Sequence, residues 1–387
     1  MSCQPFRMRL AILTSHPIQY YGPLFREIAN RMDITVFFAQ RATAEQQAAA
    51  GFGIAFNWDV DLLHGYPHKF LRNVACDPGV HHFTGCDTPE IAEKLAAGRF
   101  DALLVTGWNL KSYWQGIYAA KSRGIPVMVR GDSQLDTPRA FAKRLVKDAT
   151  FPFFLRLFDA ALYVGQRNRA YYEHYGYPAE RLLHSPHCVD TKRFAAGATP
   201  EARAALRGRL EIASDEKVLL FAGKLVAFKR PLDVIEAAAI VRSRGLPVQM
   251  IVAGSGPLEH ELRSRASAMN VPVHILGFQN QTQMPAAYAA ADVLALPSSG
   301  HETWGLVCNE ALACGTPIVV SDAVGCAPDL ATSGGRIFPL ADVSALAEAM
   351  SAVLRSPPLL EAVLEISDRH SLSAAARGIT AAMKTLV

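Results

Sequence analysis

The chain has 387 residues, half of them hydrophobic and 19% charged, with a formal net charge of +4. That length exceeds one ordinary core and predicts two domains, while the small, dispersed positive charge argues against nucleic acid as the partner. Seven cysteines without a C-x-x-C pair point to reduced packing thiols in a cytosolic protein rather than to disulfides or structural zinc. The apolar run at 10–13 is far shorter than a signal-peptide core, and no run reaches the length of a membrane span. Strands are expected at 10–13, 34–38, 102–106, 127–130 and 160–164, then at 218–222, 248–253, 273–276, 293–296 and 318–321, with amphipathic helices between them, including 231–244 and 257–269. This alternation predicts two doubly wound parallel sheets of Rossmann-like type. The small-residue stretch 194–200 reads as the linker, and the Ala-rich pattern of 358–387 has no strand left to cover. The expected organisation is a first domain over 1–195, a second over 196–360, and a helical segment over 361–387 that packs back on the first.

In the first half, Thr14 to Pro23 leaves the opening strand as a polar and aromatic loop suited to substrate contact. Asp59-Val60-Asp61 precedes a long irregular stretch and reads as surface loop; His81-His82 lacks a third ligand at useful spacing and is not read as a metal site. Arg130 and Asp132 leave another strand at its carboxyl end, where they either face a ligand crevice or pair with each other. Arg139, Lys143 and Lys147 recur every fourth residue with Arg144 beside them and phenylalanines following. That is a basic amphipathic helix, suited either to anionic lipid headgroups or to an ordinary solvated face.

The second half carries more chemistry. After its first strand come Gly223, Lys224 and Lys229, with Pro231 at a helix start. Glycine lets backbone approach a ligand, and two ammonium groups can neutralise a diphosphate unless they are merely solvated. Gly254-Ser255-Gly256 ends another strand without the third glycine of a dinucleotide fingerprint, and Gly277-Phe278 offers backbone and a ring to a nucleobase or to the core. The most informative segment runs from His301 to Pro317. There Glu302 precedes a short helix whose N-terminus suits phosphate, and Glu310 sits among apolar residues where an acid needs a partner such as two vicinal ribose hydroxyls.

In order, Gly223-Lys224-Leu225, Lys229, Gly254-Ser255-Gly256, Gly277-Phe278 and Glu302-x7-Glu310 make residues 217–330 resemble the nucleotide-sugar-binding domain of family four retaining glycosyltransferases (glycosyl transferases group 1), which have the GT-B fold. The first half resembles that family in outline, through Val189-Asp190, Arg193-Phe194 and the strand pattern. It departs from it where Tyr21-Gly22 stands for a glycine pair and Asp132 for a histidine; in the second half Lys224 stands for arginine and Trp304 for phenylalanine. The resemblance implies donor diphosphate on Lys224 and Lys229. It implies donor sugar and phosphates on Glu302 and on the backbone of Thr303, Trp304, Gly305, Leu306 and Val307, and ribose on Glu310. Gly22, Arg130, Gly223, Gly254, Gly277 and Phe278 complete the expected binding set, and Asp132, Lys229 and Glu302 the expected catalytic set.

The expectation is a metal- and cofactor-independent retaining transfer of a sugar from a nucleoside diphosphate, UDP by default or GDP-mannose, to a glycan or lipid-linked hydroxyl. The expected place is the cytoplasm or the inner membrane face, touched through Arg139, Lys143, Arg144 and Lys147. An epimerase of the same architecture and a catalytically silent nucleotide-sugar binder are the alternatives.

Overall fold

A computed structural model describes residues 7–41, 43 and 55–387. Cys3 lies outside the described residues. The first sheet is formed by β1 (Arg9–Thr14), β2 (Asp33–Phe38), β3 (His68–Phe70), β4 (Ala102–Val105), β5 (Val127–Gly131), β6 (Ala160–Tyr163) and β7 (Leu182–His184). Its covering helices are α1 (Tyr21–Ala29), α2 (Ile91–Gly98), α3 (Lys111–Lys121), α4 (Phe141–Phe154) and α5 (Gln166–His174). After α6 (Thr191–Gly197) and α7 (Pro200–Arg209) the second sheet follows: β8 (Lys217–Ala222), β9 (Val248–Ala253), β10 (Val273–Gly277), β11 (Val293–Leu296), β12 (Ile318–Ser321) and β13 (Gly335–Phe338). Between and after these strands run α8 (Pro231–Ser243), α9 (Glu259–Ala268), α10 (Met284–Ala290), α11 (Leu306–Ala313), α12 (Ala327–Gly334), α13 (Val343–Arg355), α14 (Leu360–Arg369) and α15 (Leu372–Leu386).

Every ladder is parallel, in the orders β3-β2-β1-β4-β5-β6-β7 and β10-β9-β8-β11-β12-β13. Parallel strands covered on both faces must be apolar throughout, and β1, β4, β9, β11 and β12 are buried along all or nearly all of their length. Each order reverses once, between β1 and β4 and between β8 and β11. In open α/β sheets the crevice at such a reversal, beyond the strands' carboxyl ends, receives the ligand. The two sheets together make the two-domain GT-B architecture.

Three strands lay outside the sequence expectation. β3, β7 and β13 are edge strands of three or four residues, half-buried, and lack the apolar run that marks a central strand. The expected linker at 194–200 is largely helical instead. Asp190 accepts from the Arg193 amide at 3.2 Å to start α6, and Thr199 accepts from the Ala202 amide at 3.1 Å to start α7. The last helix, α15, returns to the first sheet and lies along α1, β6 and β7. Its Ala375, Ala376, Ile379, Ala382 and Met383 fall on one helical face and join the core of Leu24, Phe25 and Ile28. Fully burying Ile379 and Met383 contributes about 1.5–3 kcal/mol each. Among the described residues no helix is long and apolar enough to cross a membrane.

Candidate active site

The reversal in the second sheet places the loops after β8 and β11 side by side. They form the floor of a cleft of about 350 Å³ whose opposite wall comes from the first domain. The β8 loop packs backbone to backbone on the β9 loop, with the Gly223 amide donating to the Ala253 carbonyl at 2.9 Å and the Leu225 amide to the Ser255 carbonyl at 2.9 Å. Gly254 is required there: at φ +155° a side chain is strained, and a Cβ would lie 1.9 Å from the Gly223 carbonyl oxygen. Gly305, at φ +99°, turns the chain into α11, whose opening residues Leu306 and Val307 line the cleft; the first amides of a helix lack intrahelical carbonyls to pair with.

Lys229 pairs with Glu302, whose carboxylate also accepts from the Ser298 hydroxyl at 3.2 Å; both charged side chains are mostly buried. Burial, then the charge of Lys229, lowers the Lys224 ammonium below its ordinary range, with Glu302 opposing. The floor of the cleft is therefore set up for an anion, which would relieve the repulsion between the two lysines. Glu310 lies deeper. Its oxygens accept from the Tyr20 hydroxyl at 2.9 Å and the Tyr288 hydroxyl at 2.6 Å, with the Gln281 amide at 3.5 Å. Burial pushes its carboxyl above the ordinary range while these donors pull it back. A ribose diol would meet a carboxylate that already holds two tyrosine hydroxyls, one of them from the first domain.

The wall from the first domain is polar where it faces Glu302. Asp132 accepts from the Thr303 hydroxyl at 2.6 Å and lies 3.8 Å from the Nε2 atom of His187. Its side chain is 45% exposed to the cleft. Burial within the protein mass would raise its carboxyl, but His187 and the Thr303 hydroxyl outweigh that and hold it at about 2. Next to it the Gln134 amide donates to the carbonyls of Gly300 at 3.1 Å and Glu302 at 3.3 Å, joining the domains. Near the other end of the cleft, the Phe56 ring lies 4.3 Å from that of Phe278 and the Asn280 amide donates to the Asn57 carbonyl at 2.8 Å.

Of the residues expected from sequence, Asp132, Gly223, Lys224, Lys229, Gly254, Phe278, Glu302, Thr303 to Val307 and Glu310 all line this one cleft. Gly22, Arg130 and Gly277 do not. Arg130 is buried, and its guanidinium donates to the Ser185 hydroxyl at 3.1 Å and the Pro186 carbonyl at 2.7 Å, tying β5 to the chain after β7 rather than pairing with Asp132, and it borders a smaller neighbouring cavity instead of this cleft. Gly22 lies in α1, where a Cβ would come 2.9 Å from the Leu62 carbonyl oxygen, so it serves packing. Gly277 ends β10 and bridges to Gly254, supporting the cleft loop from behind. Asp59 lies exposed in a loop, as expected, and its carboxylate accepts from the Thr282 amide at 3.1 Å across the domains. Lys147 is withdrawn from the basic face, with its ammonium over the rings of Phe151 at 4.4 Å and Tyr171 at 4.5 Å; burial lowers it to about 8. Tyr20, Tyr288, Gln281 and His187 were not singled out in the sequence. Only Tyr20, inside the flagged loop 14–23, and His187, two residues before Val189, stood near any signal.

Residues 202–377 match the family model described as glycosyl transferases group 1. The match covers a little under half of the chain. It contains the β8 and β11 loops and both glutamates of the cleft. Over 250 residues the chain is 30% identical to a GDP-mannose-dependent alpha-(1-6)-phosphatidylinositol monomannoside mannosyltransferase of Mycolicibacterium smegmatis, covering 62% of each protein. It is 37% identical over 210 residues to a D-inositol 3-phosphate glycosyltransferase of Geodermatophilus obscurus, covering 49% of this chain and 44% of that one. The match thus spans less than two thirds of either relative. The fold as a whole is that of Anabaena Alr3699/HepE solved with UDP, with a TM-score of 0.71 at 17% identity over 98% of this chain and 100% of that one.

Proposed function

We propose that the chain moves a sugar from a nucleoside diphosphate to a hydroxyl of a glycan or lipid-linked acceptor, with retention and without a catalytic metal. The observation that carries this reading is the convergence of Lys224, Lys229, Glu302, Glu310 and the α11 N-terminus on one cleft between the domains. The diphosphate sits on the α11 amides and the two lysines, and the ribose is held by Glu310. As the bond from the anomeric carbon to the diphosphate oxygen breaks, the electron pair goes to that oxygen. Lys224, Lys229 and the helix N-terminus meet the growing charge, which is where such groups lower a barrier most. These cations supply the neutralisation that a divalent metal would otherwise bring. The acceptor oxygen bonds to the anomeric carbon on the face the diphosphate leaves, and its proton passes to the departing phosphate. GDP-mannose is favoured as donor by the M. smegmatis relative, with UDP-sugars the other arm of the test.

The acceptor reaches the cleft from the first domain. α4 has no buried residue and exposes Phe141, Leu145, Val146 and Phe153. With the exposed cations Arg139, Lys143 and Arg144, this helix complements an anionic bilayer surface and would bring a lipid-linked acceptor to the cleft from the cytoplasmic side. Incubating the chain with GDP-mannose, UDP-glucose and an acceptor panel, and following released nucleotide and the anomeric proton by NMR, tests the reading. Transfer or slow donor hydrolysis with retained configuration is expected. Binding without turnover, or epimerised donor as the sole product, would overturn it.

A further inference from the structure

Among the buried polar atoms described, the Nε2 atom of His187 has no hydrogen-bond partner, although the residue is only 9% exposed and borders the cleft. Leaving such a nitrogen unmet costs stability unless a ligand completes it. It lies 3.8 Å from the Oδ2 atom of Asp132, too far for a hydrogen bond and close enough that one oxygen atom of a ligand can bridge both. Both residues also border a second cavity of about 190 Å³ on the first-domain side, so the pair stands where the donor cleft meets acceptor-side space. The Trp304 ring packs 5.2 Å from the imidazole, and the His187 backbone carbonyl accepts from the Asn309 side-chain amide of α11 at 3.3 Å.

Resting on the proposed glycosyl transfer, we infer that His187 and Asp132 together read one hydroxyl of the transferred sugar, and that the donor is therefore a neutral sugar rather than a uronate. The hydroxyl donates its one proton to the Asp132 carboxylate and accepts from Nε2–H, which assigns the histidine the tautomer protonated at Nε2. Asp132 stays ionised through the neutral range. A sugar carboxylate at this position would therefore face a second carboxylate, and like charges in one desolvated site disfavour binding. A sugar lacking the hydroxyl would leave the buried Nε2 unmet and Asp132 with the Thr303 hydroxyl alone, the situation that gives polar sites their selectivity.

The test is titration calorimetry of wild type, H187A, H187Q and D132N with UDP, GDP, UDP-glucose, UDP-glucuronate and GDP-mannose, with transfer rates for the sugars that bind. Wild type is expected to prefer a neutral sugar donor over its bare nucleotide and to reject UDP-glucuronate. H187A should abolish that preference, a loss of about tenfold or more, while binding the bare nucleotide within about twofold of wild type. H187Q should restore part of the preference by supplying an amide in place of the ring nitrogen. Should H187A fail to fold by circular dichroism, H187Q and D132N carry the same comparison. Unchanged sugar preference and transfer in folded His187 variants would overturn the inference and leave the nucleotide-sugar reading intact, as would equal binding of UDP-glucose and UDP-glucuronate. Absence of binding to every nucleotide and nucleotide sugar by the wild type would overturn both.

Discussion

The two domains share one sheet plan and one reversal of strand order, yet they present different chemistry to the cleft. The second domain offers charge: two lysines, a paired glutamate and a helix N-terminus, all delivered by the loops after β8 and β11. The first domain offers Tyr20, Gln134 and a single carboxylate, Asp132, beside His187, whose imidazole burial lowers below its ordinary range, each already engaged with or close to a residue across the cleft. Charge placed by short loops suits a ligand part common to all donors, the diphosphate. Polar groups held by long-range contacts suit the part that differs, the sugar and its acceptor. If that division is right, mutations in the two walls should fail in different ways.

The largest effect is expected from K229A in the charged wall. Losing one cation beside the leaving group should cost about 2 to 4 kcal/mol of transition-state stabilisation, roughly 30- to 1000-fold in kcat/KM. Steady-state kinetics check this, and unchanged rates would remove Lys229 from the reaction. On the polar wall D132N comes next, with transfer reduced by roughly 100-fold and nucleotide affinity nearly intact. A parallel loss of nucleotide binding would show that the two walls do not divide the ligand. E310Q should raise the donor KM by about tenfold with a smaller change in kcat, because ribose contacts act in ground and transition states alike. An equal fall in kcat would make Glu310 part of the chemistry.

The sequence displays one wall far better than the other, for a physical reason. The charged wall is built within short stretches, β8 to Lys229 and β11 to Glu310, where strand, glycine turn and helix start follow one another in the chain. The polar wall is assembled from Tyr20, Asp132 and His187, separated by more than a hundred and by more than fifty positions, so no local spacing reveals it. Asp132 was visible because it leaves a strand end. His187 was not, because its meaning comes only from the carboxylate it faces. Arg130 shows the converse: a strand-end arginine reads as a contact of the main cleft until the Ser185 and Pro186 oxygens that bind it, and its place on the neighbouring cavity, are seen. Burial and fold class were legible throughout from apolar runs, whereas the edge strands β3, β7 and β13 depended on tertiary neighbours and the helices at 191–197 and 200–209 on caps at Asp190 and Thr199.

The smallest expected effect concerns how the walls are held together. Asp329 of the second domain accepts from the Gln166 amide at the start of α5 at 3.0 Å, and burial raises its carboxyl to about 6 against the opposing pull of that amide and Arg167. A carboxyl raised in the folded state favours folding fully below its unfolded value, and that contribution is lost as pH rises through the folded value. D329N cannot ionise. It should match wild type at about pH 4 and exceed its Tm at about pH 8 by about 2 °C, read by differential scanning fluorimetry. A lower Tm for D329N at the higher pH would mean that the ionised carboxylate strengthens the contact.

The division between the walls rests on a nucleoside diphosphate binding the charged side, and titration calorimetry of the wild type and K229A with GDP and UDP tests that most directly. Saturable one-site binding of at least one of them to the wild type is expected, weakened by about tenfold or more in K229A and by less than about twofold in D132N. Absence of binding to the wild type, or equal affinity for wild type and K229A, would contradict it.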